Sequence, residues 1–367
     1  MVERAEEKDF RELLRFENRV FKISFEKKVP KIYNHKELAA LHGVYKEDGK
    51  IVGAICVYPG TFRLGGESLG VAGIGSVAVS KSVRGRGIMK ELMEYAGEES
   101  ERLGADVGVL SGYRRRYERF GYVPAGVKYV YEVSDHFVSR HVLKKSFGFE
   151  RVQSETQLLE IEKLHSSLPA FHEREHERFF DILKTWHSVP CLVKDENGET
   201  RGYLIFKPQE NAVSELVLKD CGEARDVLVS FAREKRLKRV FLWAQHFQRE
   251  LLFEMLSFGE HFKIECAGSL KIFSFERVLK KMLSFTLSRT PLQNGVLVLK
   301  AGDENLKIEV RGREAFVTET DEEPEVTLTR EQATVLLTRP DGALIENPLL
   351  RAWTPLCPFG IFDVDMV

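Results

Sequence analysis

A short turn rich in glycine and arginine is the segment of this sequence best suited to bind an anion. The turn Arg84–Gly87 separates an apolar run that ends at Val79 from an amphipathic segment that begins at Ile88. Glycine permits positive φ and close approach of the backbone to a ligand. The start of a helix presents unpaired N–H groups and a partial positive charge, and two arginines add charge-assisted contacts. The pattern therefore predicts a phosphate site at the start of a helix.

The turn differs from two common phosphate-binding motifs. It lacks the GK[ST] ending of a Walker P-loop and the GxGxxG of dinucleotide-binding folds. The alternative is a plain strand-to-helix turn with surface arginines. We favour the anion site because the strand, the glycines, the paired arginines and the helix occur together in the order that such a site needs.

A second motif with chemical potential is His172–His176, which satisfies the HExxH pattern of zinc proteases. On a helix this spacing places both histidines on one face. The interior of the motif and the neighbouring Glu177 and Arg178 are charged, which is typical of a solvated helix face. We therefore predict no metal site.

The elements that must position the glycine turn are indicated by hydrophobic periodicity and by an Asp-Gly turn signal. The predicted elements of the first part of the chain are a helix at Lys8–Val20, strands at Leu41–Lys46, Ile51–Tyr58 and Val71–Val79, a helix at Ile88–Leu103 and a strand at Val107–Leu110.

The middle of the chain repeats this order, which indicates an internal structural duplication, although two ordinary units of this kind could match by coincidence. The repeated elements are strands at Leu192–Asp195, Gly202–Phe206 and Val213–Leu218, a helix at Ala224–Arg236 and a strand at Val240–Trp243. In place of the glycine turn the second copy has Lys219–Glu223, whose acidic residues oppose an anion. We therefore predict one such site per chain.

The last part of the chain, from about Phe275, has short alternating strands and a helix with Thr329 as a cap-like residue, as in a small α+β domain. The predicted fold class is α/β (α+β), with two tandem mixed-sheet domains followed by this smaller one. The predicted boundaries are 1–148, 149–274 and 275–367.

Composition narrows the class of protein. The 367 residues carry a formal net charge of -1, with 43% hydrophobic and 30% charged residues, which fits a globular protein and gives no electrostatic reason to expect nucleic-acid binding. The five cysteines never form a CxxC pair, which favours a reducing compartment. The amino terminus has no apolar signal core and no run of about 18 apolar residues occurs, so we expect a cytoplasmic protein that does not enter a membrane.

Three features together resemble a known family, the GNAT N-acetyltransferases. The run Val77–Val79 followed by Arg84–Met89 is similar to their acetyl-CoA motif, which is written R-x-x-G-x-G/A. Met89 stands where the motif has its final small residue. A bulky residue also stands at that position in one subfamily, the Eis-like (enhanced intracellular survival) acetyltransferases. The segment Tyr117–Tyr122 is similar to the Y-x-R-F-G-Y of that subfamily. The layout also matches its GNAT domain, degenerate GNAT-like domain and sterol-carrier-protein-2-like domain.

The resemblance implies an N-acetyltransferase that uses acetyl-CoA, without a metal, to acetylate a primary amine on an aminoglycoside-like polyamine or a lysine side chain of a peptide. It also implies a homo-oligomer, a hexamer in the family. A non-catalytic acetyl-CoA-binding or lipid-carrier protein remains the alternative. The residues implied to bind acetyl-CoA are Val77, Ala78, Val79, Arg84, Gly85, Arg86, Gly87, Ile88 and Met89.

The resemblance also implies two catalytic groups. Tyr117 matches the tyrosine that gives a proton to the departing thiolate, with Tyr113 and Tyr122 as nearby rivals. The carboxylate of the C-terminal residue, here Val367, takes the role of the base that accepts the proton of the amine. The family usually ends in an aromatic residue, and Val367 departs from that pattern.

Overall fold

The computed structural model describes residues 1–259, 261–339, 345–353 and 359–367, so Cys357 lies outside the described residues. The strands, in chain order, are β1 (Val2–Arg4), β2 (His42–Glu47), β3 (Lys50–Leu64), β4 (Glu67–Val79), β5 (Val107–Leu110), β6 (Val123–Ala125), β7 (Lys128–Val133), β8 (Gly148–Arg151), β9 (Ala170–His172), β10 (Val189–Lys194), β11 (Thr200–Lys207), β12 (Ala212–Leu218), β13 (Val240–Gln245), β14 (His261–Glu265), β15 (Gly268–Ile272), β16 (Gly295–Ala301), β17 (Glu304–Arg311), β18 (Glu314–Glu319) and β19 (Val326–Leu328). The helices are α1 (Phe10–Phe21), α2 (Phe25–Lys28), α3 (Pro30–Tyr33), α4 (Ile88–Arg102), α5 (Arg114–Tyr117), α6 (Asp135–Arg140), α7 (Glu155–His165), α8 (Phe179–Leu183), α9 (Ala224–Glu234), α10 (Arg249–Leu256), α11 (Phe275–Arg289), α12 (Arg330–Thr338) and α13 (Pro348–Trp353).

These strands form three sheets within the described residues. The first sheet has the order β1-β2-β3-β4-β5-β15-β6, with β9 added to β3. The second has the order β14-β7-β13-β12-β11-β10-β8, and the third the order β18-β17-β16-β19. All three contain antiparallel pairs and one parallel pair, so the predicted class of mixed α/β sheets is confirmed.

The first two sheets exchange strands. Directly after β6, strand β7 leaves the first sheet and pairs with β13 and β14 of the second. Strand β15 returns from the second half of the chain and lies between β5 and β6. No predicted strand covers β7, β9 or β15, and the domain boundaries at 148 and 274 remain predictions.

Each strand predicted in the first part of the chain exists, and the predicted helix at Ile88 begins at that residue as α4. The middle and C-terminal elements also lie where the periodicity placed them. The helix predicted across His172–His176 is wrong. His172 ends strand β9 and is buried, because β9 adds to the edge of β3 next to Phe62 and Arg63.

One apolar core joins the three sheets. It contains Phe62 and Val109 of the first sheet, Ile205 of the second and Leu297 of the third, together with Leu279 of α11. Because residues of all three sheets pack together in this core, each sheet buries part of the surface of the others. Among the described helices, none has the length and apolar character needed to cross a membrane.

Strand β4 carries an irregularity at Ser76 that shapes the centre of the first sheet. Its pairing with β3 changes register between Ala54 and Cys56, and Ser76 has φ 53°, which is uncommon for a residue other than glycine. The hydroxyl oxygen of Ser76 lies 2.6 Å from the Tyr33 hydroxyl, which lies 3.2 Å from His42 Nε2. This contact ties the bulge to a buried polar cluster.

The buried polar cluster beneath the bulge consists of Tyr33, His42 and Glu17. His42 Nδ1 faces the Ala39 carbonyl at 3.2 Å, an acceptor, so Nδ1 carries the proton and Nε2 accepts from Tyr33. Glu17 is fully buried, and burial raises the pKa of its carboxyl to about 8. Burial likewise lowers the pKa of His42 to about 4. At neutral pH both side chains are therefore uncharged.

We expect Glu17→Gln to stabilise the protein increasingly as pH rises. The pKa of Glu17 is raised from 4.5 to about 8 in the folded state, so the stability linked to its proton is present below pH 4.5 and is lost as pH rises towards 8. Glutamine cannot ionise and escapes this loss. The difference in free energy of unfolding between variant and wild type should grow by up to ~1.4 kcal/mol per pH unit across that window, measured by chemical denaturation.

The matched control is Glu98→Gln, at an exposed position of α4. Its difference from wild type should be independent of pH. A constant difference for Glu17→Gln as well would show that Glu17 ionises in the folded protein as it does in the unfolded one.

Candidate functional site

The glycine-rich turn connects β4 to α4 and adopts the conformation that its glycines allow. After Val79 a short 3₁₀ helix at Lys81–Val83 leads into the turn, and Gly85 and Gly87 both have φ 84°. A Cβ at either glycine would meet no atom within 4 Å, so the left-handed conformation, and not lack of space, requires glycine. Gly87 is the N-cap of α4 and has no side chain to bond the first N–H groups of the helix, which stay available to an anion.

Strand β4 has an unpaired edge next to this turn. Its parallel pairing with β5 runs from Val71 to Ile74, and β5 ends at Leu110. Beyond Ile74, no described strand pairs with this edge of β4. The backbone N–H and C=O groups there are free to bind an extended ligand such as an amide-containing chain.

A cleft of about 680 Å³ runs along this edge and over the turn. A volume of roughly 300–1,000 Å³ is usual for a small-molecule site. It is lined by Val20, Phe21, Val77, Val79, Val83, Arg84, Gly85, Gly87, Ile88, Met89, Lys90, Arg116, Tyr117 and Arg119. The structure therefore brings together seven of the nine residues predicted to bind the cofactor.

The other two predicted residues, Ala78 and Arg86, lie outside the lining. Ala78 is 1% exposed and packs on the opposite face of β4 in a cluster with Leu13 and Phe16 of α1. The guanidinium of Arg86 forms an ion pair with Glu47 at 2.7 Å. Ala78 lies away from the cleft because successive side chains of a strand point to opposite faces. Arg86 lies outside the lining because the Glu47 carboxylate of β2 binds its guanidinium.

Three cationic residues of the cleft were missed in the sequence: Lys90, Arg116 and Arg119. Neither Arg116 nor Arg119, nor the predicted Arg84, forms an ion pair within the described residues. With Lys90 they give the cleft four positive side chains, which suits a ligand with several phosphate charges. The signal was the unusual run Arg114–Arg116, whose distance from the glycine turn along the chain hid its part in the site.

Tyr117 ends helix α5 and faces the cleft while its ring is largely enclosed, with 8% of the residue exposed. The ring passes close to Gly112, where an added Cβ would come within 2.9 Å of it. Burial raises the pKa of the Tyr117 hydroxyl, and the Arg116 charge opposes this only partly. The phenol therefore keeps its proton at neutral pH and can act as a proton donor.

The two rival tyrosines occupy different positions. Tyr113 is 75% exposed and lies under the Arg116 guanidinium. Tyr122 is 2% exposed, and burial strongly raises the pKa of its hydroxyl, which lies over Gly108. Of the three, Tyr117 alone lines the cleft.

The C-terminal residue lies at the same strand, on a second cavity. Val367 packs against Gly73 and Gly75, where an added Cβ would come within 2.8 Å and 2.9 Å of its atoms. The cavity has a volume of about 370 Å³, and its lining includes Lys31, Tyr58 and Asp365 as well as Val367. Only Ser76 separates Gly75, which Val367 touches, from Val77, which lines the cleft.

The turn Lys219–Glu223 between β12 and α9, which the sequence pattern aligned with the glycine turn, has acidic side chains that bond to the chain's own groups. The Asp220 carboxylate accepts a hydrogen bond from Gly222 N at 2.9 Å. Glu223, at the start of α9, pairs with Arg201 and Lys145. These acids oppose an anion at this turn, and a single site per chain remains our prediction.

The two histidines of the HExxH pattern lie in different environments. His172 is buried beside Phe62, whereas His176 is half exposed and faces Glu155 and Glu162. The described residues contain no group of three or more His, Cys, Asp or Glu side chains able to hold a metal ion.

Comparison with known proteins identifies the chemistry of the first part of the chain. Residues 1–125 match the family model of the acetyltransferase (GNAT) domain. The cleft, the turn and Tyr117 all lie within these residues. The expectation that the chain is an acetyltransferase enzyme is thereby confirmed. No curated protein matches the chain in sequence.

Solved structures of the same fold cover nearly the whole chain. A GCN5-related N-acetyltransferase from Kribbella flavida superposes with a TM-score of 0.71 at 15% identity, over 100% of this chain and 98% of that one. A probable N-acyltransferase from Enterococcus faecalis gives 0.70 at 14% identity, over 98% and 97%. Eis1 from Mycobacterium abscessus gives 0.68 at 15% identity, over 98% and 99%. At these identities the likeness shows a shared fold.

We expect Arg84→Ala to weaken the binding of coenzyme A more than Arg86→Ala does. Arg84 lines the cleft without a partner, whereas Glu47 holds the Arg86 guanidinium. Loss of one charge-assisted phosphate contact should raise the dissociation constant about tenfold for Arg84→Ala, with a smaller rise for Arg86→Ala. Isothermal titration calorimetry with coenzyme A measures both.

Lys81→Ala serves as the matched control, because it removes an exposed cation just before the turn without changing the cleft lining. Its dissociation constant should stay close to that of the wild type. Unchanged affinity in Arg84→Ala would overturn the assignment of the turn as the phosphate site.

Proposed function

We propose that the protein transfers an acetyl group from acetyl-CoA directly to a primary amine, as an Eis-like GNAT N-acetyltransferase. The observation that carries the proposal is the cleft in which the glycine turn, the unpaired edge of β4 and Tyr117 meet. The acceptor class that we propose is an aminoglycoside-like polyamine or a lysine side chain. Acetyl-CoA, when bound, supplies the acetyl group on a thioester.

The residues present fit such a ligand. Arg84, the N–H groups at the start of α4, Lys90, Arg116 and Arg119 would hold its phosphates. The free edge of β4 at Val77 and Val79 would bond its amide-containing arm. This arrangement leaves the thioester end of the ligand near Tyr117.

Tyr117 acts as the general acid in this proposal. When the carbon–sulfur bond breaks, the thiolate needs a proton, and the enclosed phenol of Tyr117 gives one from its hydroxyl. The group must be protonated before transfer, and burial favours that form. Tyr117 regains a proton from solvent before the next turnover.

The carboxylate of Val367 acts as the general base. Ammonium groups of alkyl amines have pKa values near 10, so the attacking amine must lose a proton. Val367 packs against Gly73 and Gly75 at the edge of a cavity, which places its carboxyl group beside β4 and next to open space that an amine could enter. Bond formation between nitrogen and the acetyl carbon and proton transfer to Val367 then balance the proton that Tyr117 gives to sulfur.

The remaining proposals rest on the resemblance. They are a duplicated GNAT-like unit in the second sheet, a sterol-carrier-like third sheet with a structural role, a cytoplasmic location and assembly into a homo-oligomer such as a hexamer. Exposed apolar side chains on α10 and β14, among them Phe253 and Phe262, are consistent with a subunit contact. A non-catalytic carrier is not favoured, because the cleft and Tyr117 lie in a domain that matches an enzyme family.

We expect Tyr117→Phe to lower kcat at least about tenfold without changing the affinity for coenzyme A, since proton donation contributes roughly 10²–10⁴-fold. The substitution keeps the ring and removes the donor. Thiol release from acetyl-CoA, measured with a panel of amines and lysine peptides across pH, tests this. Tyr113→Phe, at an exposed position, should behave as wild type. Equal turnover of Tyr117→Phe at every pH would exclude the general-acid role.

We expect a peptide tag added after Val367 to lower kcat strongly, because it converts the terminal carboxylate into an amide and occupies the space beside Gly73. The same tag placed before the exposed Met1 is the matched control and should leave turnover unchanged. Full activity of the C-terminally tagged enzyme would show that another group takes the proton of the amine.

A further inference from the structure

The C-terminal segment 359–367 is held by contacts with both large sheets. Its backbone carbonyls accept hydrogen bonds from Val127 N at Phe359 (2.8 Å), from Gln245 Nε2 at Ile361 (3.2 Å) and from Lys31 Nζ at Val364 (2.8 Å). Phe359, Phe362 and Val364 are buried. The C-terminal segment therefore packs on the rest of the protein along its length.

One side-chain contact fixes the end of this segment. The Asp365 carboxylate receives two hydrogen bonds from Arg174, from Nε at 2.8 Å and from a terminal guanidinium nitrogen at 3.0 Å. The other side of the same guanidinium binds Glu215 of β12 at 3.1 Å and 2.7 Å. Arg174 thus joins the C-terminal segment to the second sheet. Arg174 itself lies two residues after β9, the strand added to the first sheet.

This ion pair is almost completely enclosed. The side chains of Arg174 and Glu215 are 1% and 0% exposed, and that of Asp365 is 6% exposed. Burial alone would raise the pKa of Asp365, but the two-point contact with Arg174 outweighs it and lowers the pKa to about 2. The pair is therefore charged at neutral pH, and two parallel hydrogen bonds fix its orientation as well as its distance.

The contact lies close to the chain terminus. Two peptide units span at most ~7 Å, so fixing Asp365 leaves the Val367 carboxylate little freedom. Asp365 and Val367 line the same 370 Å³ cavity, together with Arg174 itself. A base must be within hydrogen-bond reach of its proton, so loss of this restraint should reduce the rate and not only the stability.

We propose that Arg174, acting through Asp365, is a positioning residue of the acetyl-transfer site: it holds Val367 against β4, with its side chain beside Gly73 and its carboxyl carbon beside Gly75, where the carboxylate receives the proton of the acceptor amine. The inference rests on the proposed function. It also gives a role to Arg174, the central residue of the His172–His176 motif.

The first test is Asp365→Asn, which keeps the size of the side chain and leaves Arg174 paired with Glu215. We expect kcat to fall about tenfold or more, with unchanged affinity for coenzyme A and a cooperative thermal transition retained. The acid limb of the pH dependence of kcat should shift or disappear, which a merely structural role would not produce. Arg174→Lys, which keeps the charge but loses the two-point contact, should act in the same direction if Asp365→Asn fails to fold.

The matched control is Arg63→Gln, which breaks the exposed ion pair between Arg63 and Glu173, the residue next to Arg174. It should leave kcat and its pH dependence unchanged. A fall in kcat as large as that of Asp365→Asn would mean that any disturbance near β9 has this effect, and would overturn the proposal.

The deciding test combines Asp365→Asn with deletion of Val367. If Arg174 and Asp365 act through the terminal carboxylate, the double variant should be no slower than the deletion alone; multiplicative effects overturn the proposal. Deletion that lowers kcat while Asp365→Asn leaves it unchanged refutes the positioning role and preserves the proposed base. Deletion that leaves kcat and its pH dependence unchanged refutes the base itself, and with it this inference.

Discussion

Arg174 lies between two carboxylates that belong to distant parts of the chain, and the arrangement of the protein depends on this contact. Glu215 comes from the second sheet and Asp365 from the C-terminal segment, while β9 adds the segment before Arg174 to the first sheet. Buried charges are costly unless they are paired and hydrogen-bonded, so the three groups hold one another in a single geometry. Tyr203 adds a hydrogen bond to Glu215, and His165 lies 3.3 Å away from it.

This contact affects the position of the C-terminal residue beside strand β4. Val367 reaches Gly73 and Gly75 because the tail is fixed two residues earlier, and glycine at both positions leaves the space that it occupies. On the same strand the bulge at Ser76, tied to Tyr33 and His42, separates the paired part of β4 from its free edge. The strand thus borders two cavities, one lined by the C-terminal residue Val367 and the other lined by the glycine-rich turn.

The charges around the two cavities differ in a way that suits the proposed reaction. The cleft collects Arg84, Lys90, Arg116 and Arg119 at the turn, where a ligand with several phosphates would be neutralised. The cavity lined by Val367 has carboxylates in its lining as well as Lys31 and Arg174. Burial lowers the pKa of Lys31 to about 7, so even this amine is only partly charged there. A neutral acceptor amine is what the reaction requires.

The sequence by itself determined the local elements of the site. The glycine turn, the strand before it and the helix from Ile88 follow from residue types within a few positions of one another, because positive φ and helical periodicity are local properties. It also pointed to Tyr117 through its motif. Only the tertiary structure decided what depends on distant residues: the exchange of β7 and β15 between sheets, the burial of His172 on an added strand, and the pairing of Arg174 with Asp365, 191 residues apart. A charged residue in the sequence looks the same whether it will face water or another charge, and folding alone determines which.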